Sequence, residues 1–327
     1  MPAIIVFLDI DGTLIGLDQK PNADGLPSLI DDLRARGVRF GLNSNRAVED
    51  VESVVRAFHL DGPFILENGA YVMNQINGER RLFPGVPSDI PDLVRRAMGH
   101  VVAREFPGAT LEVGDTTAMV ESGRETRDEL HFFLNAYRLY SGSIHHRIDG
   151  RINPEIACRT ADALNASFAS DDIPLVATAH AHGGTVTVDI PSVDKGTALA
   201  RVKREHADCL LVAVGDGSGD VALRPFVHRL YAVANAIPEL RAIADAVSSE
   251  PMTAGVMEIL RTHVRPLVEQ KNRPCEPIRW RGTGYLPPFS RSGESRATFP
   301  WAGSWKPGWS AIRVRGERVG FPQCPPP

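Results

Sequence analysis

Ile4-Ile5-Val6-Phe7-Leu8-Asp9-Ile10-Asp11-Gly12-Thr13 is the stretch that decides the fold. Its unbroken apolar start, three of the five residues β-branched, reads as a strand buried on both faces, as in parallel sheets. Two acids end the run, so Asp9 and Asp11 mark the strand's carboxyl end. Downstream, Leu26, Leu29, Ile30 and Leu33 share one helix face, and Gly37 stops that helix. Val38 to Leu42 is the next strand, and it runs into Asn43, Ser44, Asn45 and Arg46. Val48, Val51, Val55 and Phe58 form a second apolar helix face, and Phe64 to Leu66 a third strand. Strand and helix alternating at this spacing predict βαβ units and an α/β fold built on a doubly wound parallel sheet.

The same rhythm returns late in the chain. Leu199 to Arg204 reads as helix, Cys209 to Val214 as an apolar strand, and Gly215 to Asp220 as a loop at its carboxyl end. Leu230 to Val233 follows as a strand, with a helix around Pro238 to Ala246. The stretch between has another texture. It holds a helix with Ile90, Leu93, Val94, Ala97 and Val101, a second with Leu130, Phe133, Leu134 and Tyr137, and alternating strands such as Thr185 to Ile190. An α+β cap inserted into the doubly wound core is expected. The divisions are 1–84 (core, first part), 85–190 (inserted cap), 191–262 (core, second part) and 263–327 (tail).

Composition narrows the function classes. A chain of 327 residues with 43% hydrophobic content can bury a large core and is not globally disordered. The formal net charge of −4 argues against nucleic acid as the partner of the whole chain. Cys158, Cys209, Cys275 and Cys324 lie far apart without CxxC spacing, which favours a reducing, cytoplasmic home over a zinc site. The start lacks a basic n-region and no apolar stretch is long enough for a bilayer, so neither a secretory leader nor a membrane is expected. From His263 to Pro327 the chain changes: all four tryptophans sit there, with eleven Lys and Arg against four Asp and Glu. Proline-rich and basic, this tail is expected to be poorly ordered. Its Trp and Arg content leaves open binding to an acidic partner or single-stranded nucleic acid, with a plain extension preferred.

The chemistry sits where open α/β sheets place their sites, beyond the strands' carboxyl ends. Asp9 and Asp11 repel one another unless a cation or proton shares their space; one suits a nucleophile, the other an acid and base, and both suit Mg²⁺. Gly12 lets the backbone turn so that its N–H groups face an anion. Ser44 could hydrogen-bond a phosphoryl oxygen, and Lys195 offers a cation to a phosphate or to a carboxylate. Asp216 and Asp220, in Gly215-Asp216-Gly217-Ser218-Gly219-Asp220, would complete an oxygen cage around Mg²⁺. Alone, each element has a bland reading as a helix cap, a turn or a surface lysine. Together they are hard to explain structurally.

The set Asp9-Ile10-Asp11-Gly12-Thr13, Ser44, Lys195-Gly196 and Gly215-Asp216-Gly217-Ser218-Gly219-Asp220 resembles the four motifs of the haloacid dehalogenase superfamily. Glu67-Asn68-Gly69-Ala70, Ala234 to Leu240 and the position of the insertion resemble its Cof-type, class IIB branch, from Ile4 to about Leu260. The resemblance implies a phosphatase for a small phosphorylated metabolite, a sugar phosphate or a phosphoglycolate-like acid. It implies Asp9 as the nucleophile that becomes an aspartyl phosphate, and Asp11 as acid and base. It further implies Ser44 and Lys195 as the phosphate-holding pair, and Gly12, Asn45, Arg46 and Asn68 as substrate or phosphate contacts. Mg²⁺ is then held by Asp9, Asp11 (through its backbone carbonyl), Asp216 and Asp220. Two departures stand out: Gly219 replaces the branch's usual Asn, and Ser44-Asn45-Arg46 its usual Thr-Gly-Arg.

A phosphomutase would use the same groups and return the phosphoryl group to substrate, so it remains an alternative. A response-regulator receiver also pairs acids with a Ser or Thr and a Lys, but has no room for the insertion. Within the cap, Glu121, Arg124, Arg127, His145, His146, Arg147 and His182 are candidate specificity residues. A shared metal for His145 and His146 is rejected, because neighbours on a strand point to opposite faces.

Overall fold

The computed structural model describes residues 3–16, 25–75, 78–116, 129–180 and 184–271. Glu121, Arg124, Arg127 and His182 lie outside these, as does the tail beyond Lys271. Strand β1 (Ile4–Leu8) is buried throughout. Helix α1 (Leu26–Ala35) buries Leu26, Leu29, Ile30 and Leu33, the face its periodicity predicts. Strand β2 (Val38–Asn43), helix α2 (Val48–Ala57) and strand β3 (Phe64–Leu66) follow, and β1, β2 and β3 pair in parallel. Two short antiparallel strands, β4 (Tyr71–Met73) and β5 (Arg81–Leu82), extend that edge.

The inserted segment builds a second sheet. In order come α3 (Ile90–Glu105), β6 (Thr110–Gly114), β7 (Leu130–Asn135), β8 (Gly142–Ile148), α4 (Pro154–Ser170), β9 (Val176–His180) and β10 (Thr185–Asp189). The sheet order is β6-β7-β8-β10-β9. The expected helix carrying Leu130, Phe133, Leu134 and Tyr137 is instead β7. Phe132 and Leu134 pack on one face of the sheet, while His131, Phe133 and Asn135 are buried on the other. A strand buried on both faces loses its alternation, and its apolar spacing then imitates a helix. The cap's second described helix is α4, which the sequence reading did not place: Asn153 caps it by accepting from Glu155 N, with Pro154 in its first turn.

The core resumes with α5 (Lys195–Glu205), β11 (Leu210–Gly215), the short α6 (Ser218–Val221), β12 (Arg229–Ala232), α7 (Pro238–Ile243) and β13 (Ala246–Val247). Helix α8 (Met252–Ile259), a π-helical turn at Leu260–Val264 and α9 (Arg265–Lys271) close the described chain. The boundary at residue 263 therefore falls too early. Val264 and Val268 are buried in the core and the His263 ring stacks on Tyr231 at 5.0 Å, so the basic, proline-rich bias of the tail masked a helix with an i, i+4 apolar pair. Among the described residues, no helix is long and apolar enough to cross a membrane.

The main sheet runs β13-β12-β11-β1-β2-β3-β4-β5. Alternate residues of β1 feed two cores: Ile4, Val6 and Leu8 pack on one side, Ile5 and Phe7 on the other. The chain leaves β1 towards β2 and returns on the other side at β11. Connections diverge there, so a crevice opens beyond the carboxyl ends of β1 and β11. The site lies in that crevice.

Candidate active site

Asp9 follows β1, and its amide donates to Val214 O of β11 at 3.0 Å, which ties the two strand ends together. Lys195 stands in the first turn of α5, fixed by a capping box in which Asp194 and Thr197 satisfy one another. Its buried ammonium donates to Asp9 Oδ1 at 2.7 Å and to Asp220 Oδ1 at 2.9 Å. Asp220 is wholly buried, and its other oxygen accepts the amides of Asp216 and Gly217, both at 3.1 Å. Asp220 thus shapes the loop that presents Asp216. Thr13 donates to Asp216 Oδ1 at 2.8 Å. Gly12, at φ +81°, leaves room for the same carboxylate: a Cβ there would stand 2.2 Å from Asp216 Oδ2.

One ammonium is hydrogen-bonded to two carboxylates, with Asp216 close beside them. Burial pushes the Asp9 carboxyl well above the usual range; Lys195 opposes that shift, and the charges of Asp220 and Asp216 reinforce it. Burial also raises Asp216, to about 6, against the Thr13 hydrogen bond. Lys195 stays protonated, because Asp220 and Asp9 outweigh the burial that works against its charge. Oxygen atoms of Asp9, Asp216 and Asp220 lie within 4.8 Å of one another. Hard carboxylate oxygens with excess negative charge fit Mg²⁺.

The second group surrounds Asp11. Its carboxylate takes a forked pair from Arg46, 3.0 Å from Nε and 2.6 Å from an Nη. The Asp11 side chain is 53% exposed, so burial works only weakly against its charge, and Arg46 holds the carboxyl below its usual value. Ser44 is buried, and its hydroxyl accepts the Arg46 amide at 3.2 Å. The next turn clasps this loop: Glu67 N donates to Arg46 O and Asn68 N to Ser44 O. Glu67 and Asn68 both adopt positive φ, 46° and 55°, which shows how tightly that turn is held.

The two departures are accommodated locally. A Cβ at Gly219 would stand 3.3 Å from the Lys195 side chain, so glycine gives the buried lysine room. Asn45 reaches the cap, as its backbone and side-chain oxygens both accept from Arg138 Nη1. His145 and His146 face opposite ways. His146 accepts from Asn153 N, whereas His145 contacts Ser143 and Thr185, and burial pushes it down to about 4. Arg147 donates to His146 O at 2.8 Å.

Sequence reasoning did not find Thr13, Arg138 or Asp189 as site residues, and it noted Glu67 only within a motif. Asp189 ends an alternating strand, takes side-chain hydrogen bonds from Thr187 and Asn68, and is raised by burial to about 6. An acid at that strand end was a usable signal; Arg138 gave none. Glu67 seats the cap loop on the core by accepting from Leu139 N, Tyr140 N and Ser141 Oγ. Glu67→Ala strands these donors and is expected to destabilise the fold by about 3 kcal/mol in urea unfolding. A change under about 0.5 kcal/mol would mean that the loop finds other partners.

Comparison with known proteins places the chain in a family. Residues 6–89 and 146–260 match the haloacid dehalogenase-like hydrolases, and the chain belongs to that family. It is 19% identical over 274 residues to the 5-amino-6-(5-phospho-D-ribitylamino)uracil phosphatase YbjI of Escherichia coli, covering 78% of this chain and 94% of that protein. It is 41% identical over 69 residues to phosphoglycolate phosphatase 2 of Saccharolobus solfataricus, a match of 21% of this chain and 30% of that relative's length. A crystal structure of a haloacid dehalogenase-like hydrolase from Bacteroides thetaiotaomicron shares the fold, with TM-score 0.59 at 15% identity over 79% of this chain and 98% of that one.

Proposed function

We propose that the chain is a Mg²⁺-dependent phosphatase of a small phosphorylated metabolite, a sugar phosphate or a phosphoglycolate-like acid, working through an aspartyl phosphate on Asp9. The observation that carries this is the buried Asp9 carboxylate, held by Lys195 at 2.7 Å beside Asp216, with Asp11, two residues on, paired to Arg46. The phosphatase names of the relatives above support it.

Asp9 and Asp216 are the acids best placed to hold Mg²⁺, since Asp220 already has donors on both oxygens. Bound there, the ion supplies positive charge that lets a carboxylate approach a phosphate anion. Lys195 and Ser44 hold phosphoryl oxygens while Asp9 attacks phosphorus in line with the leaving oxygen. The P–O bond breaks and the leaving oxygen takes a proton from Asp11. Asp11 rests ionised against Arg46, so it must first gain that proton. A phosphate dianion competes for Arg46, and each bond Asp11 loses raises its carboxyl towards protonation. In the second half, Asp11 takes a proton from water, whose oxygen displaces Asp9 from phosphorus.

The test is phosphate release from a panel of small esters, with Mg²⁺ and with EDTA. Release is expected with Mg²⁺ on a few related compounds, falling to background in EDTA. Isomerisation of a sugar phosphate without release would assign a phosphomutase instead. No reaction of any ester would overturn the reading.

A further inference from the structure

Ser44, Asn45 and Arg46 present three successive carbonyl oxygens, and each is held by a different donor. The core supplies the outer two: Asn68 N donates to Ser44 O at 3.2 Å and Glu67 N to Arg46 O at 3.0 Å. The middle one belongs to the cap. Arg138 lies in the loop between β7 and β8 and is only 6% exposed. Its Nη1 donates to Asn45 O, to Asn45 Oδ1 at 3.1 Å and to Ser141 Oγ at 3.2 Å. Its Nε is buried without a hydrogen-bond partner, so Nη1 is the end that fixes the side chain. Ser141 in turn donates to Glu67 Oε2 at 2.8 Å, and the same carboxylate accepts from Leu139 N and Tyr140 N. These bonds close a ring that runs from the cap loop to Asn45, along the chain to Arg46, across to Glu67 and back to the cap loop.

The ring passes through residues on which the proposed chemistry depends. Ser44 is the residue expected to hold a phosphoryl oxygen, and Arg46 engages Asp11. Asn45 stands between them, where the resemblance leads one to expect Gly. A glycine would offer its carbonyl alone, whereas the Asn45 side chain gives Nη1 a second acceptor. Charge holds the guanidinium in place as well, since it lowers the carboxyls of Asp11, Asp50, Glu67 and Asp189. A buried cation among carboxylates stays charged and is costly to displace.

We infer that Arg138 is a positioning residue: by holding Asn45 it sets the Ser44–Arg46 loop, so that the phosphate-holding site is complete only while the cap loop is seated there. The inference rests on the phosphatase reading and gives the cap a task that does not depend on the substrate's leaving group. With the middle carbonyl released the loop can shift, and a displacement of about 1 Å costs on the order of 10²-fold in rate.

The test measures kcat and KM of the full chain on p-nitrophenyl phosphate and 2-phosphoglycolate, with inorganic phosphate as inhibitor. Circular dichroism checks that each variant is folded at the assay temperature. Arg138→Met is expected to lose about 10²-fold in kcat/KM on both esters alike. Inorganic phosphate has no leaving group to reach the cap, yet its inhibition should weaken about tenfold, the worth of roughly one hydrogen bond. Ser44→Ala is impaired by itself, and adding Arg138→Met should cost less than about fivefold more, because both changes remove the same contact. Arg138→Lys keeps the charge without the reach and should recover only part of the loss. If Arg138→Met does not fold, Arg138→Lys carries the same cycle. Unchanged inhibition by phosphate, losses that multiply with Ser44→Ala, or full recovery in Arg138→Lys would each overturn the inference while the phosphatase reading stands. A loss confined to one ester would also overturn it, by making Arg138 a substrate contact. No release by the parent from any ester would remove the phosphatase reading and this inference with it.

Discussion

Asp9→Asn is expected to lower phosphate release by about 10⁴-fold or more while leaving the protein folded. The amide is the same size as the carboxylate, and its oxygen can still accept from Lys195, so the contacts at the end of β1 survive. What it cannot do is attack phosphorus, since its nitrogen lone pair is delocalised and it carries no charge. Burial disfavours the ionised form of Asp9 in the native state, so the neutral variant should unfold at the same temperature as the parent or slightly above it. Circular dichroism and thermal unfolding would check the fold, and a phosphate-release assay the activity. Near-parental hydrolysis by a folded Asp9→Asn protein would remove Asp9 as the nucleophile.

Lys195→Met attacks the same centre from its other side and should cost stability as well as activity. The ammonium is the hydrogen-bonded counter-charge of two buried carboxylates, Asp9 and Asp220. Removing it leaves them facing one another, a change expected to cost about 3–5 kcal/mol at neutral pH. The pH dependence has a definite sign. Asp9 already titrates above its ordinary value, and without Lys195 it titrates higher still. Such an acid destabilises the native state above its raised pKa and ceases to do so once protonated. The deficit is therefore largest at high pH and shrinks as the pH falls through the raised Asp9 value of the variant. Urea unfolding of both proteins at pH 7.5 and pH 5 would show it. A deficit below about 1 kcal/mol at pH 7.5 would mean that the carboxylates are balanced by something other than Lys195.

These effects differ in how far they could be foreseen. The pairing of Asp9 with Asp216 follows from two apolar strands each ending in acid, because parallel neighbours present their carboxyl ends together. Lys195 was named as a cation for a phosphate or for the nucleophilic carboxylate, but its second bond, to Asp220, was not foreseen. That depends on where α5 docks and on Gly219 leaving space for the lysine stem. The second cap helix was misplaced onto Leu130–Asn135, since a strand buried on both faces carries no period-two signal. The residues that bind cap to core, Glu67 and Arg138, stand 71 positions apart and belong to no shared pattern.

By itself the sequence determined the alternation of strand and helix, the doubly wound core, the inserted cap and the acids at the strand ends. All are local: they are written in the spacing of apolar residues and in the polar residues that must stop a buried run. Only the tertiary structure decided which charges share an ammonium, which carboxylate Arg46 engages, and that Arg138 is buried with a donor to spare. Those facts depend on distances between segments far apart in the chain, and such distances are set by how helices pack on the sheet and how the cap loop seats on Asn45 and Glu67.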